Sequence, residues 1–186
     1  MTDSIIARLA ARHSVGAKFL TLPVPTEDNY RKALSWAVTA PDHGRLFPAR
    51  FVIIENREKF ADFFESGALN EGATAEEAKR AREKAVKAPA LIAVVVRIEV
   101  GNTRIPPYEQ WMTAGACVTD FLSALELQGF AGKIVSGSST RYPDAVKALC
   151  KKDEVIACWI MIGTPKPDTP APQQRMVPND FLTTFS

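Results

Sequence analysis

A chain of 186 residues and 20.4 kDa is the size of one domain, large enough to bury a core without staples. Its 46% hydrophobic and 24% charged residues exclude a disordered, collagen-like or disulfide-scaffold protein. Lys+Arg 23 against Asp+Glu 21 leaves a net charge of +2, too balanced to predict nucleic acid or another polyanion as partner.

Cys117, Cys150 and Cys158 form no C-x-x-C pair, and the two histidines, His13 and His43, are far apart, so no metal spacing is present. Such cysteines read as reduced thiols in a cytoplasmic protein. Residues 1–14 lack the apolar run of a signal peptide. The most apolar segments, 88–96 and 156–162, fall well short of the roughly 20 residues that span a bilayer, so a soluble protein is expected.

In chain order, residues 4–12 predict a first helix, capped by Ser4, with Ile5, Ile6 and Leu9 on one stripe. Residues 26–38 predict a second: Thr26 is the N-cap, Glu27 and Asp28 complement the dipole, and Pro41 stops continuation. RFVIIE, 50–55, reads as a strand, followed by helices over 57–66 and 74–87. The charge-laced face of the second of these reads as a solvated surface held by i,i+4 pairs; a binding patch is its rival. LIAVVV, 91–96, has no polar alternation, which predicts a strand covered on both faces.

The longest helical pattern covers 108–128, ended by Gly129. From Met112 it is apolar or small on nearly every face, with Asp120 and Glu126 its only charges. A helix of this kind is the axis of a core or a subunit interface. A short strand over 133–135, a hydroxyl-rich loop over 136–140 and a helix over 141–150 follow. IACWIMI, 156–162, predicts another doubly covered strand, ended by Gly163. Alternating helices and strands give an α/β or α+β class. The five prolines of 165–178 exclude helix, and the apolar Phe181, Leu182 and Phe185 beyond them predict a docked arm, either across a partner subunit or on its own monomer.

The familiar catalytic signatures are missing: there is no G-x-S-x-G elbow, no phosphate loop and no G-x-G-x-x-G after a strand. Three places could carry chemistry. Arg12-His13-Ser14 offers a guanidinium fork and a hydroxyl suited to phosphate, or simply a cationic helix C-terminus. Residues 40–45 hold His43 in a turn built by Asp42 and Gly44, where a surface histidine is the ordinary reading. Residues 133–141 could turn backbone N–H groups and hydroxyls toward an acceptor-rich ring.

Together these places form an ordered pattern: A-R-H-S at 11–14, A-P-D-H at 40–43, E-Q-x-M-x-A-G-A at 109–116, Q-G-F-x-G at 128–132, S-G-S at 136–138 and I-G-T-P at 162–165. The pattern resembles the nitroreductase family, in particular its small single-domain NAD(P)H subgroup. The resemblance implies an α+β fold, a central mixed or antiparallel sheet flanked by helices, in an intertwined homodimer with two FMN sites at the subunit interface. It implies an FMN-binding domain over 1–164 and a proline-rich arm over 165–186 that packs on the partner subunit. Arg12, His13 and Ser14 would hold the FMN phosphate and ribityl chain. Thr39 and His43 would reach the flavin from the second subunit, and Ile134, Val135 and Ser136 would lie along its ring. NADH or NADPH would reduce the flavin, and a flat electrophile such as a nitroaromatic or quinone would then accept hydride, in a ping-pong cycle that needs no side-chain acid or base.

The chain departs from the subgroup's pattern at His13, Thr39 and Val135, where arginines are usual, and at Phe47-Pro48-Ala49, where Gln-Pro-Trp is usual. Each lost charge-assisted donor weakens flavin contacts by roughly 1.5–3 kcal/mol, and Arg45, Lys133 and Arg141 are the cations available to compensate. Two alternatives therefore stand beside the oxidoreductase: the same scaffold with other flavin chemistry or weak occupancy, and a cofactor-free dimeric interaction module.

Overall fold

The structure, a computed structural model, describes residues 2–173 and 175–185. Five strands form one sheet, antiparallel in every described pairing: β1 (Leu20–Thr21), β2 (Ala49–Ile53), β3 (Ala90–Arg97), β4 (Ala131–Val135) and β5 (Glu154–Pro165). Six α-helices surround it: α1 (Thr2–Ala11), α2 (Glu27–Ala37), α3 (Arg57–Asn70), α4 (Ala75–Val86), α5 (Pro107–Leu127) and α6 (Pro143–Leu149). β5 is the spine: β3 pairs along most of it, while β4 and β1 pair with its C-terminal half.

The two unbroken apolar strands are covered on both faces because helices pack on both. Ile92, Val94, Val96, Ile160 and Ile162 meet α2 and α5, where Phe121 stacks on Phe51 with ring centroids 4.5 Å apart. Leu91, Ala93, Val95 and Trp159 meet α3, α4 and α6, and the Trp159 ring sits 5.2 Å from Phe60 and 5.6 Å from Phe64. Ile156 faces this second layer although Cys158, two residues on, faces the first. A β-bulge explains the switch: consecutive Val94 and Val95 pair with Cys158 and Ile156, leaving Ala157 as an extra residue that rotates the strand.

Of the two predicted caps, Thr26 serves as one, and two further helix starts use side-chain caps beyond those predicted. Thr26 and Thr74 each close a capping box, with Asn29 and Glu77, and Asn56 caps α3. Arg80 pairs with Glu76 on α4, whereas Arg82 reaches Glu58 and Asp62 on α3, so part of the charged face ties two helices together. Four expectations are corrected. α1 begins at Thr2, which puts Ser4 inside the helix rather than at its cap. Ile5 and Ile6 are 46% and 61% exposed, so this chain does not bury their stripe. β4 starts at Ala131, because Ala131 and Gly132 already pair with β5. β5 runs through Gly163 to Pro165, because Gly163 pairs with Ala131 and the next two residues pair with the unforeseen β1.

α5 has one buried face and one exposed face. Thr113, Ala114, Val118, Phe121, Leu122 and Leu125 are buried against α2 and the sheet. Tyr108, Met112, Gly115 and Thr119 recur at helical spacing on an exposed outer face, where Met112 is 70% exposed. α2 lies antiparallel to α5: Asn29 Nδ2 donates to Gln128 Oε1 at 2.9 Å at one end, and Thr113 Oγ1 donates to the Pro41 carbonyl at 2.8 Å at the other.

Arg50 fastens β2 to the start of β5. Its Nε donates to Glu154 Oε1 at 2.8 Å, and the Lys151 N–H donates to the same carboxylate. The Arg50 hydrogen bond holds the Glu154 carboxyl at about 2 against its burial. A carboxyl depressed on folding stabilises the native state above its unfolded pKa, roughly 4.3, and loses that contribution as pH falls toward the folded value. Glu154→Gln is therefore expected to be less stable than wild type at neutral pH, with the difference in urea midpoint narrowing below about pH 4.5. A difference independent of pH would count against this role.

Candidate functional site

One half of the predicted set gathers where α1 ends. Arg8 Nη2 donates to the Glu126 carbonyl at 3.0 Å and the Leu127 carbonyl at 3.4 Å, complementing the C-terminal dipole of α5. With that role taken by Arg8, the half-buried Arg12 guanidinium makes no hydrogen bond among the described residues. Glu126 lies close by. Burial pushes its carboxyl up, and the charges of His13, Arg12 and Arg8 pull it down. The His13 ring sits between two carbonyls, Nδ1 at 3.2 Å from Ala11 O and Nε2 at 3.1 Å from Pro170 O. A neutral ring has a single N–H, so it satisfies one of them at a time.

Ser14 is exposed, and the next residue, Val15, donates its N–H to the Gly132 carbonyl at 3.2 Å. This bond joins the N-terminal stretch to β4. Ile134 is 43% exposed, Val135 turns inward to the Trp159 layer, and Ser136 is exposed just past the strand end. Arg12–Ser14 thus sit beside the start of β4, and Ser136 lies four residues beyond Gly132, about 13 Å along the strand direction. A cavity of ≈ 350 Å³ opens beside His13 and Ser14. Its far wall is the chain's own arm, with Thr169, Pro170 and Arg175. The Lys166 N–H bonds Phe19 O at 2.9 Å and holds the arm there. Arg175 was not legible in advance: it stands alone in a proline-rich stretch with no periodicity.

The other half of the set is built at the opposite end of α5. Thr39 follows α2 and turns its hydroxyl back to the Trp36 carbonyl at 2.8 Å. The Asp42 carboxylate accepts the N–H groups of Leu46 at 3.1 Å and Phe47 at 2.8 Å, closing a tight turn. Gly44, Arg45 and Phe47 adopt φ of 77°, 54° and 47° inside it. On this turn His43 Nδ1 lies 2.8 Å from Glu109 Oε2, in a cavity of ≈ 250 Å³ shared with Pro41, Met112, Thr113 and Ala116. The partnership joins positions 66 residues apart, and neither letter predicts it alone.

Glu109 sits at one end of α5 and Glu126 at the other, so the two halves stand about 25 Å apart at 1.5 Å per residue. In one chain Arg12, His13 and Ser14 lie beside the start of β4, Val135 and Ser136 line a separate cavity with Phe64 and Trp159, and Thr39 and His43 stand at the far end of α5. Of the cations available to compensate, Lys133 is exposed on β4, Arg141 is exposed after it, and Arg45 belongs to the His43 turn. Among the described residues no group of three His, Cys, Asp or Glu could hold a metal ion, and no helix is long and apolar enough to cross a membrane.

The turn carrying His43 depends on Gly44, whose backbone is left-handed and whose added Cβ would stand 2.4 Å from Ile105 Cδ1. Gly44→Ala is expected to lower stability by about 1–2 kcal/mol through strain at this one residue. Urea unfolding measures it, and an unchanged midpoint would show that the turn relaxes freely.

The family model described as the nitroreductase family matches residues 9–164. The Escherichia coli (strain K12) protein named "Putative NAD(P)H nitroreductase YdjA" is 33% identical over 172 residues, 91% of this chain and 93% of its own. Among solved structures, a nitroreductase-like family protein from Bacillus cereus superposes with a TM-score of 0.79 at 20% identity, covering 97% of this chain and 95% of its own. A mutant of NfnB from Sphigopyxis sp. strain HMH, described as an FMN and NADPH-dependent nitroreductase, superposes with a TM-score of 0.70 at 16% identity, over 97% of this chain and 98% of its own.

Proposed function

The chain belongs to the nitroreductase family, and from that premise we propose that it is an FMN-dependent NAD(P)H oxidoreductase working as a homodimer in the cytoplasm. The observation that carries the reading is the half-buried Arg12 guanidinium, unpartnered among the described residues and next to the exposed Ser14 hydroxyl. With Glu126 nearby but no hydrogen bond or ion pair made among the described residues, the guanidinium keeps its donors free, and a planar fork beside a hydroxyl is the donor set that a phosphate monoester takes. Arg12 and Ser14 would grip the phosphate. Arg175 on the far wall of the cleft would add charge there, and Gly132–Ser136 would run along the ribityl chain and ring.

FMN held by these residues would supply hydride chemistry at its N5, linking NADH or NADPH to a flat electrophile such as a nitroaromatic or quinone in a ping-pong cycle. What the protein adds is position and electrostatics. Backbone N–H groups around Val135 and Ser136 would face the ring edge where negative charge develops, and Ile134 would give it an apolar bed. No side chain is assigned a proton transfer.

Two copies are needed because the halves stand apart in one. A second copy laid antiparallel on the exposed face of α5 would carry its His43 turn to the Arg12 end of the first. That face has the composition of an interface: Tyr108, Trp111 and Met112 are exposed with Gly115 and Thr119, and Ile5, Ile6 and Val38 add to the exposed apolar surface. The arm fits the same arrangement. As far as Arg175 it borders its own chain's cleft, whereas Met176, Phe181 and Leu182 are 89%, 78% and 88% exposed and would find cover on the partner. The three free cysteines suit a reducing compartment.

A second reading, the same scaffold with weak flavin occupancy or other flavin chemistry, draws on the groups that fall short. Thr39 spends its hydroxyl on Trp36, Val135 packs inward, and the His13 ring is engaged by carbonyls. Purified protein separates the two: retained yellow flavin, bleached by NADPH under nitrogen and restored by a nitroaromatic, supports the oxidoreductase. Flavin that stays oxidised under NADPH supports the alternative, and colourless protein that refuses FMN sinks both.

Arg12→Ala is expected to weaken FMN binding about 10- to 100-fold with the melting curve of the flavin-free protein unchanged, as for loss of one charge-assisted contact. Equal flavin affinity would remove Arg12 from the phosphate. Truncation after Pro165 is expected to shift sedimentation toward monomer, and an unshifted profile would speak against arm exchange.

A further inference from the structure

We infer that Glu109 is a positioning residue for the flavin site: it fixes the tautomer of His43, so that Nε2 meets the cofactor as a hydrogen-bond acceptor. The inference rests on the proposed flavin reading and adds to it a residue and a direction of hydrogen bonding.

The geometry starts from the pair itself. His43 Nδ1 is 2.8 Å from Glu109 Oε2, and an ionised carboxylate only accepts, so the proton between them belongs to Nδ1. In the neutral ring Nε2 then carries a lone pair, and among the described residues it has no partner. An unconstrained neutral histidine favours the opposite tautomer, with the proton on Nε2, so the carboxylate changes what the ring presents.

Both members are held. Glu109 lies in the first turn of α5, its other oxygen 3.4 Å from Tyr108 Oη, and its side chain is 33% exposed. His43 rides on the turn that Asp42 closes and that Thr113 pins to α5 through the Pro41 carbonyl. The imidazole is therefore tied at one nitrogen and braced through its backbone, the arrangement by which a supporting carboxylate orients a functional histidine. The pair shares its cavity with Met112 and Ala116 of α5, the helix whose outer face the proposed partner covers. The His43 side chain is 59% exposed in the single chain. Donors on oxidised FMN are few: the ring N3–H and the ribityl hydroxyls. An acceptor at Nε2 selects for one of these and against a carbonyl oxygen.

The test has a flavin-free arm and a flavin arm. ¹⁵N spectra of the imidazoles at a pH above neutrality report the tautomer. The chain has two histidines, so His13→Gln assigns the signals. Flavin-free wild type is expected to show His43 with Nδ1 protonated, Glu109→Gln to keep that state because its amide oxygen still accepts, and Glu109→Ala to move the proton mainly to Nε2. In fluorescence titrations with FMN, Glu109→Ala and His43→Ala are each expected to weaken binding about tenfold, and the double variant no more than His43→Ala alone, with Glu109→Gln near wild type. Titration with 3-methyl-FMN tells the donors apart: a similar loss in wild type assigns the ring N3–H, and unchanged affinity assigns the ribityl chain. A wild-type His43 protonated on Nε2, or variants whose effects on FMN add, would overturn the inference while the flavin reading stands. A wild type that shows the expected tautomer but binds no FMN overturns the flavin reading and the inference together.

Discussion

The packing of α2 and the sheet against α5 occupies only one side of a helix that is apolar or small on both. Phe121, Leu122 and Leu125 enter the core, where each large buried side chain contributes roughly 1.5–3 kcal/mol, while Met112, Gly115 and Thr119 face outward with no ionised group among them. The same helix measures out the site. Its first turn holds Glu109 against His43, and its last carbonyls take Arg8 beside Arg12. Length of α5 thus sets the separation of the two halves of the proposed flavin site, and its uncovered face is the surface on which a second copy would rejoin them.

Charge is used differently at the two ends. At the C-terminal end of α5, Arg8 compensates the helix dipole, which leaves Arg12 without a carbonyl to serve. At the N-terminal end the Asp42 carboxylate is spent on backbone N–H groups, and so shapes a turn rather than meeting a ligand. Acid and base types sit at both ends, but one cluster leaves a cation unpaired and the other pairs a histidine completely on one edge. That asymmetry is what one phosphate and one ring would require of two different subunits.

Much of this was readable in the letters, and the failures are specific. Runs without polar alternation, 91–96 and 156–162, predicted strands covered on both faces, and helices do cover them. Thr26 marked a helix start through side-chain chemistry that is local, whereas Ser4 did not, because α1 begins before it. β1 escaped notice since two residues, Leu20 and Thr21, carry no period; only the approach of β5 makes them a strand. Gly163 looked like a terminator but lies within a ladder, where pairing with Ala131 outweighs its local preference. For the site, the order of short motifs singled out Arg12–Ser14, residues 40–43 and 134–136, the residues on which the proposed function rests. The partnership of His43 with Glu109 and the place of Arg175 depend on chain reversals that no window of sequence contains.

The extra residue in β5 at Ala157 has one more implication. On its N-terminal side Ile156 looks toward α3 and α6, and on its far side Cys158 and Ile160 look toward α5. This single irregularity exchanges the faces that odd and even positions serve on its two sides, so the segment can absorb swaps of one aliphatic group for another far more readily than a change in its count. Relatives drifting in sequence would be free to vary the letters here, but an insertion or deletion would turn the spine inside out.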